Sequence, residues 1–253
     1  MPTSIIYLEG VTVSFEGFKA LNNLNFIMYP GELRVVIGPN GAGKTTLLDV
    51  ISGKVRPTAG RVIFGELTDL SSLREHEMAK LGIGRKFQTP SVFKALSVFE
   101  NLELACHQKS KGVFATLFSK RAEREKIFAV LDEIGLADKA WMKAGSLSHG
   151  EKQWLEIGMV VIQDPRLMLI DEPVAGMTGK ETEKTGALLS SLAGKHSVLV
   201  IEHDMNFVRQ IARTITVLHE GTVLCEGPLE KIQNDPRVAE IYLGREHKSH
   251  ASH

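Results

Sequence analysis

The run Gly38-Pro39-Asn40-Gly41-Ala42-Gly43-Lys44-Thr45-Thr46 constrains this chain more than any other stretch. It matches the phosphate-loop pattern, in which two glycines bracket four residues and a Lys-Thr pair follows. Leu33-Arg34-Val35-Val36-Ile37 before it reads as a buried strand, and Thr46-Leu47-Leu48-Asp49-Val50-Ile51 after it as a helix. Strand, glycine loop and helix in that order give the pattern its meaning. Glycine lets the backbone curl until successive N–H groups face phosphate oxygens. The helix N-terminus adds partial positive charge. Lys44 is expected to reach the β- and γ-phosphates, and the Thr45 hydroxyl to ligate Mg²⁺.

A chain of 253 residues has room to bury a large core around such a loop. Its 30 basic and 30 acidic side chains cancel, which leaves no global field to draw it to nucleic acid or anionic lipid. Cys106 and Cys225 are far apart and in no metal-like spacing, so they read as packing residues in a reducing compartment. No basic-then-apolar leader opens the chain, and no run approaches the ~20 apolar residues that cross a bilayer. A membrane role would therefore run through a partner.

Upstream of the loop, Ile6, Leu8, Val11, Val13 and Phe15, then Leu24, Phe26 and Met28, then Val62 and Phe64, alternate with polar residues. That period predicts antiparallel strands with one buried face. Phe15 falls in a loop-like Ser14-Phe15-Glu16-Gly17 and is either a core or turn aromatic or a platform for a purine base. Leu81 to Gln88 reads as a short strand leaving a helix, with Gln88 at its end. From Ser97 to Gln163 the pattern is mostly helical: Val98, Leu102 and Ala105 form one face, and Ile127, Val130, Leu131 and Ile134 another, closed by Gly135. The basic residues Lys109, Lys111, Lys120, Arg121, Arg124 and Lys126 between those faces read as a solvated connection between helices, with lipid headgroups or a partner as the other reading.

Leu147-Ser148-His149-Gly150-Glu151 opens the next helix. Ser148 and Glu151 have capping-box spacing, and a capped helix N-terminus is also an anion site. Asp164-Pro165 ends that helix. Leu167-Met168-Leu169-Ile170 then reads as a strand buried on both faces of a parallel sheet, delivering Asp171-Glu172 to the sheet edge where ligands bind. Adjacent carboxylates there call for a cation, Mg²⁺ foremost. Ser197 to Ile201 is a second buried strand and delivers Glu202-His203-Asp204. Ile215 to Leu218 and Thr222 to Leu224 read as a hairpin through His219-Glu220-Gly221. The tail, with His247, His250 and His253, reads as disordered.

Taken together, these stretches resemble the ATP-binding subunit of ABC transporters, from about Ile6 to Gly244. Gly38 to Thr45 matches Walker A, Gln88 the Q-loop, Leu147 to Glu151 the signature motif, Leu167 to Glu172 Walker B, and His203 the switch histidine. The resemblance implies an α/β fold: a phosphate-loop (RecA-like) parallel-sheet core, an N-terminal antiparallel β subdomain and an inserted α-helical subdomain. It implies one ABC ATPase domain, with 1–88 and 164–244 as core, 89–163 as the helical part carrying the signature, and 245–253 as a tail. Two subunits would pair head to tail around two ATP molecules, as a homodimer or with a paralogue. Phe15 and the loop Gly38, Pro39, Asn40, Gly41, Ala42, Gly43, Lys44, Thr45 and Thr46 would hold ATP. Ser148 and the N–H of Gly150 would touch the γ-phosphate held by the partner. Thr45, Gln88 and Asp171 would hold Mg²⁺. Glu172 would act as general base, His203 would steady the γ-phosphate, and Gln88 would sense metal and water, with catalysis by positioning and charge.

The same resemblance implies an importer at the inner face of the cell membrane. It would be attached to transmembrane permease subunits through Gln88 to Leu104 and the helical lobe, and served indirectly by an extracytoplasmic solute-binding protein. Arg85-Lys86-Phe87-Gln88, Pro173 to Met177 and Val200 to Met205 are similar to the branched-chain amino acid and amide uptake group. Leu147 to Gly150 running into Lys152 to Met159 is most similar to the urea-uptake branch, so urea is the expected solute and a branched-chain amino acid or short-chain amide the alternative. A soluble ATPase of translation or DNA repair would carry two cassettes or a long coiled-coil insertion. A silent nucleotide binder would not need Lys44, Asp171, Glu172 and His203 together. The chain departs from the commonest signature at His149 and Glu151, where Glu151 is expected to turn back as the capping partner. It also has Thr178 where an Asp is frequent.

Overall fold

The computed structural model describes residues 4–86, 92–107 and 118–243. Strands β1 (Ile6–Phe15) and β2 (Phe18–Met28) pair antiparallel, and β3 (Leu33–Ile37) leads through the glycine loop into α1 (Lys44–Ile51). Strands β4 (Ala59–Phe64) and β5 (Thr68–Asp69) complete a four-stranded sheet in the order β2-β1-β4-β5. Ile6, Leu8, Val11 and Val13 are buried as the alternation predicts. The step from Leu8 to Val11 breaks period two because the pairing shifts register there, at Gly10 with φ 60.

Next come α2 (Glu75–Leu81), β6 (Ile83–Lys86), α3 (Val98–His107) and α4 (Phe118–Glu133). Two short 3-10 turns, Ala137–Lys139 and Ala144–Ser146, precede α5 (His149–Val161), β7 (Leu167–Asp171) and α6 (Gly179–Leu192). The chain then runs through β8 (Ser197–Ile201), α7 (Met205–Ile211), β9 (Thr214–His219), β10 (Thr222–Gly227), α8 (Leu229–Gln233) and α9 (Pro236–Leu243). The second sheet has the order β10-β9-β3-β8-β7-β6, parallel except for the β9–β10 hairpin.

The central strands are apolar throughout because both faces are covered. Val35, Met168, Ile170, Val198 and Val200 face the helices, in one core with Leu102, Ile134, Leu155 and Leu189. Val36, Leu167, Leu169, Leu199 and Ile201 face the other way, into a core shared with α1 and the antiparallel sheet. Helices α5 and α6 are joined at Trp154, whose indole N–H donates to the Thr185 hydroxyl at 2.9 Å while the Lys184 ammonium lies 3.8 Å from its ring centre.

The basic stretch is not simply a connection. Arg121, Arg124 and Lys126 belong to α4. Arg124 lies over Phe128 and Trp141, and Trp141 stacks on Phe99 with ring centres 4.8 Å apart. Its earlier half, with Lys109 and Lys111, lies outside the described residues, as does the tail with His247, His250 and His253. Cys106 and Cys225 are free thiols, and burial raises the pKa of both above the ordinary value, as suits packing residues.

Candidate active site

The register of the parallel sheet builds the site. Val36 of β3 and Asp171 of β7 both lie opposite Ile201 of β8, and Lys86 of β6 lies opposite Ile170. The glycine loop, Asp171-Glu172 and Glu202-His203 therefore leave the sheet at one edge, although Gly38 and His203 lie 165 positions apart along the chain. Two loop glycines are obligatory. A Cβ on Gly38 would run into the Leu218 carbonyl, and one on Gly43 would come 2.5 Å from the Ala20 carbonyl, at φ 100. Gly43 caps α1 in the left-handed conformation, which turns Lys44 back over the loop. The Lys44 ammonium donates to the Gly38 and Pro39 carbonyls at 2.7 and 3.0 Å.

The loop floors a cavity of about 240 Å³ lined by Asn40 to Thr46, Glu172, Ile201, Ala20 and Phe18. Glu172 reaches it from a left-handed backbone, φ 44, the kind of strain that collects at functional positions. Its Oε1 is 3.5 Å from Nδ1 of His203, which is also 3.8 Å from the buried Glu202. Glu202 accepts the N–H groups of His203 and Asp204 at 2.8 and 3.1 Å, so it fixes the turn that presents the histidine. Burial pushes the Glu202 carboxyl above the ordinary carboxylate range despite those bonds.

Asp171 is buried behind the cavity, and burial likewise raises its pKa against the pull of Arg85 and Lys86. Lys86 is fully buried and pairs with Glu156 of α5 at 3.7 Å, while Arg85 pairs with Asp49 of α1 at 2.6 Å. A bound cation beside Asp171 would oppose that shift and favour the carboxylate. The hard oxygen donors of Asp171 and the Thr45 hydroxyl suit Mg²⁺.

Phe15 departs from the expectation. It is the last residue of β1 rather than part of a loop, it is exposed, and it does not line the cavity. Phe18, its cross-strand partner in the tight β1–β2 turn, does. Phe18 is thus the aromatic of this turn that lines the cavity; its signal in the sequence is a second phenylalanine just past Glu16-Gly17. Gln88 lies outside the described residues. Ser148 and Gly150 are not among the residues lining the cavity and sit at the N-terminus of α5. The capping box there forms as expected: Glu151 N–H donates to the Ser148 hydroxyl at 3.2 Å, and the Glu151 carboxylate accepts the Ser148 N–H at 3.0 Å. Glu151 is also ion-paired to Lys139. Thr178 caps α6 with Glu181 in a second capping box.

A model described as ABC transporter matches residues 21–175, well over half the chain. The chain belongs to the ABC transporter ATP-binding family. A second ABC model, branched-chain amino acid ATP-binding cassette transporter, matches residues 222–248. The ABC cassette is similar to the high-affinity branched-chain amino acid transport ATP-binding protein LivG of Escherichia coli strain K12, 36% identical over 96% of this chain and 99% of that protein. It is equally similar, at 36% over 96% and 99%, to BraF of Pseudomonas aeruginosa, which carries the same description. Among solved structures it resembles the ADP conformation of MJ1267, an ATP-binding cassette of an ABC transporter, with TM-score 0.83, 32% identity and 95% and 99% of the two chains covered. It also resembles a dimeric post-hydrolysis state of the cassette MJ0796 bound to ADP and Pi, with TM-score 0.76, 29% identity and 88% and 98% covered. The fold is thus the α/β ABC cassette, the chemistry is ATP hydrolysis coupled to transport, and the chain falls with the branched-chain amino acid transport group. Among the described residues no helix is long and apolar enough to cross a membrane.

Proposed function

We propose that this cassette is the ATPase subunit of an importer and works as a head-to-tail pair on the inner face of the cell membrane. One observation carries the catalytic reading: Glu172 enters the phosphate-loop cavity from a left-handed backbone with His203 beside it. Phe18, with Phe15 across the turn, takes the base end of ATP, and the loop N–H groups and Lys44 take its phosphates. Mg²⁺, when bound through Thr45 and Asp171, supplies charge neutralisation of the phosphates. Glu172 takes the proton from water, His203 steadies the γ-phosphate, and Gln88 senses the metal and the water. Ser148 and the Gly150 N–H serve the partner's γ-phosphate, and closure of the pair excludes bulk water.

The test is Glu172→Gln. Hydrolysis is expected to fall by roughly 10²–10⁴-fold, with ATP driving the variant into a stable dimer on a sizing column. Wild-type turnover, or a monomer at saturating ATP, would refute the assignment.

In this reading residues 1–88 and 164–244 form the catalytic core and 89–163 a helical part that meets the permease. The exposed Phe93, Leu104, Trp141 and Met142 support a docking face there. The solute is read through the permease and a binding protein, not through this chain. The names of the relatives favour a branched-chain amino acid. The likeness of Leu147 to Met159 to the urea-uptake branch is the specific observation for urea, which the relatives named above do not support. Uptake of labelled leucine and labelled urea, in cells whose only copy carries Lys44→Ala, separates them: the solute whose uptake is lost is the one this cassette energises.

A further inference from the structure

The N-terminus of α5 holds a contact that the nucleotide cavity does not explain. Besides accepting from Glu151, the Ser148 hydroxyl donates to Oε1 of Glu181 at 3.4 Å. A Cβ on Gly150 would come 2.5 Å from the same oxygen. The carboxylate therefore lies against the first turn of α5, in space only a glycine leaves open. Its other oxygen is held from α6, by the N–H and hydroxyl of Thr178 at 2.9 and 2.8 Å. These bonds, the Thr178 N–H first, keep the carboxyl below the usual range, so it is anionic at neutral pH. A parallel link ties the same two segments: Nε2 of His149 is 3.0 Å from the Ala175 carbonyl oxygen.

A helix N-terminus attracts an anion through its first-turn N–H groups. In the single chain two carboxylates lie there, Glu151 on the Ser148 N–H and Glu181 on the Ser148 hydroxyl. In the paired state proposed above the same serine serves the partner's γ-phosphate, and one hydroxyl proton cannot be given to both. We propose that Glu181 is an internal competitor for the signature serine, holding Ser148 in the unpaired subunit and displaced by the partner's ATP when the pair closes. This rests on the head-to-tail reading. It makes Glu181 a positioning residue, because the segment from Glu172 to Thr178 links its cap to the catalytic base. Arrival of the partner's γ-phosphate at Ser148 is thereby felt at Glu172 of the same chain.

The experiment follows ATP-driven dimerisation of Glu172→Gln by analytical ultracentrifugation, with and without Glu181→Gln. Glutamine at this position keeps the capping box, so the variant removes charge rather than the cap. The ATP midpoint for dimerisation is expected to fall by roughly two- to fivefold, the scale of an exposed charge interaction. Glu181→Asp, too short to span Thr178 and Ser148, moves it the same way and serves if the glutamine variant fails to fold. An unchanged or higher midpoint overturns the competitor role alone. A Glu172→Gln parent that never dimerises overturns the head-to-tail reading, and this inference with it.

Discussion

Lys44 shows how much a single charge decides. Its ammonium binds the Gly38 and Pro39 carbonyls and lines the cavity proposed for the phosphates. Lys44→Ala should weaken ATP binding by roughly tenfold or more, the loss of a charge-assisted hydrogen bond, as read by titration calorimetry. The two phenylalanines make a sharper test. Phe18→Ala should weaken nucleotide binding by about 1–3 kcal/mol, the scale of a base stack, with Phe15→Ala costing less; the reverse order would return the base to Phe15. That Lys44, Thr45 and Glu172 line one cavity with His203 beside it was legible in the sequence, because each is bound by spacing to a motif. Phe18 was not, because strand alternation says which face a residue takes but not which side of a two-residue turn meets the ligand. Glu181 was not legible, since its contact with Ser148 spans 33 residues of chain.

Among the elements, α5 ties the site together. Its cap is fixed by Ser148, Glu151 and Lys139, and one turn further Glu156 reaches Lys86 at the end of β6. The Glu151 carboxyl lies below its ordinary range: burial opposes this, but Lys139 and the Ser148 N–H outweigh it. The stability it contributes is therefore present above the unfolded value of about 4.3 and is lost as pH falls through the lower folded value. Glu151→Ala should lower stability by about 1 kcal/mol near neutrality, with the difference from wild type vanishing in acid; thermal melts across pH check it. Glu156→Gln breaks a fully buried pair and should cost about 3–5 kcal/mol, seen as a large drop in denaturant midpoint. Helical periodicity gave α3, α4 and α5 their faces. It could not give the Lys86–Glu156 pair, because a buried charge has no periodic signature and its partner lies on another element.

Across the whole molecule, one sheet edge gathers the chemistry of three strands, and the apolar runs that form them were readable because both faces are buried. Ile170→Ala, fully buried in β7, should cost about 2–5 kcal/mol, measured by chemical denaturation, while nucleotide affinity well below the melting temperature changes little. In the proposed assembly membrane attachment runs through the permease, so the subunit expressed without a permease should stay in the supernatant on ultracentrifugation. Co-expression with the permease should carry it into the membrane pellet. The order of the sheets was less legible than their existence: alternation predicts strands, while the adjacency of β3 to β8 and β9 follows from long-range pairing that no local pattern records.

The seam between α5 and α6 also supplies an optical gauge. The chain has two tryptophans. One, Trp154, is sealed in that seam between Thr185 and Lys184, while Trp141 is 62% exposed on the helical face. A Trp141→Phe protein would carry a single emitter, beside the helix whose cap holds Glu181. Its wavelength and quenching on addition of ATP would report, without any added dye, whether the seam rearranges when Glu181 leaves Ser148.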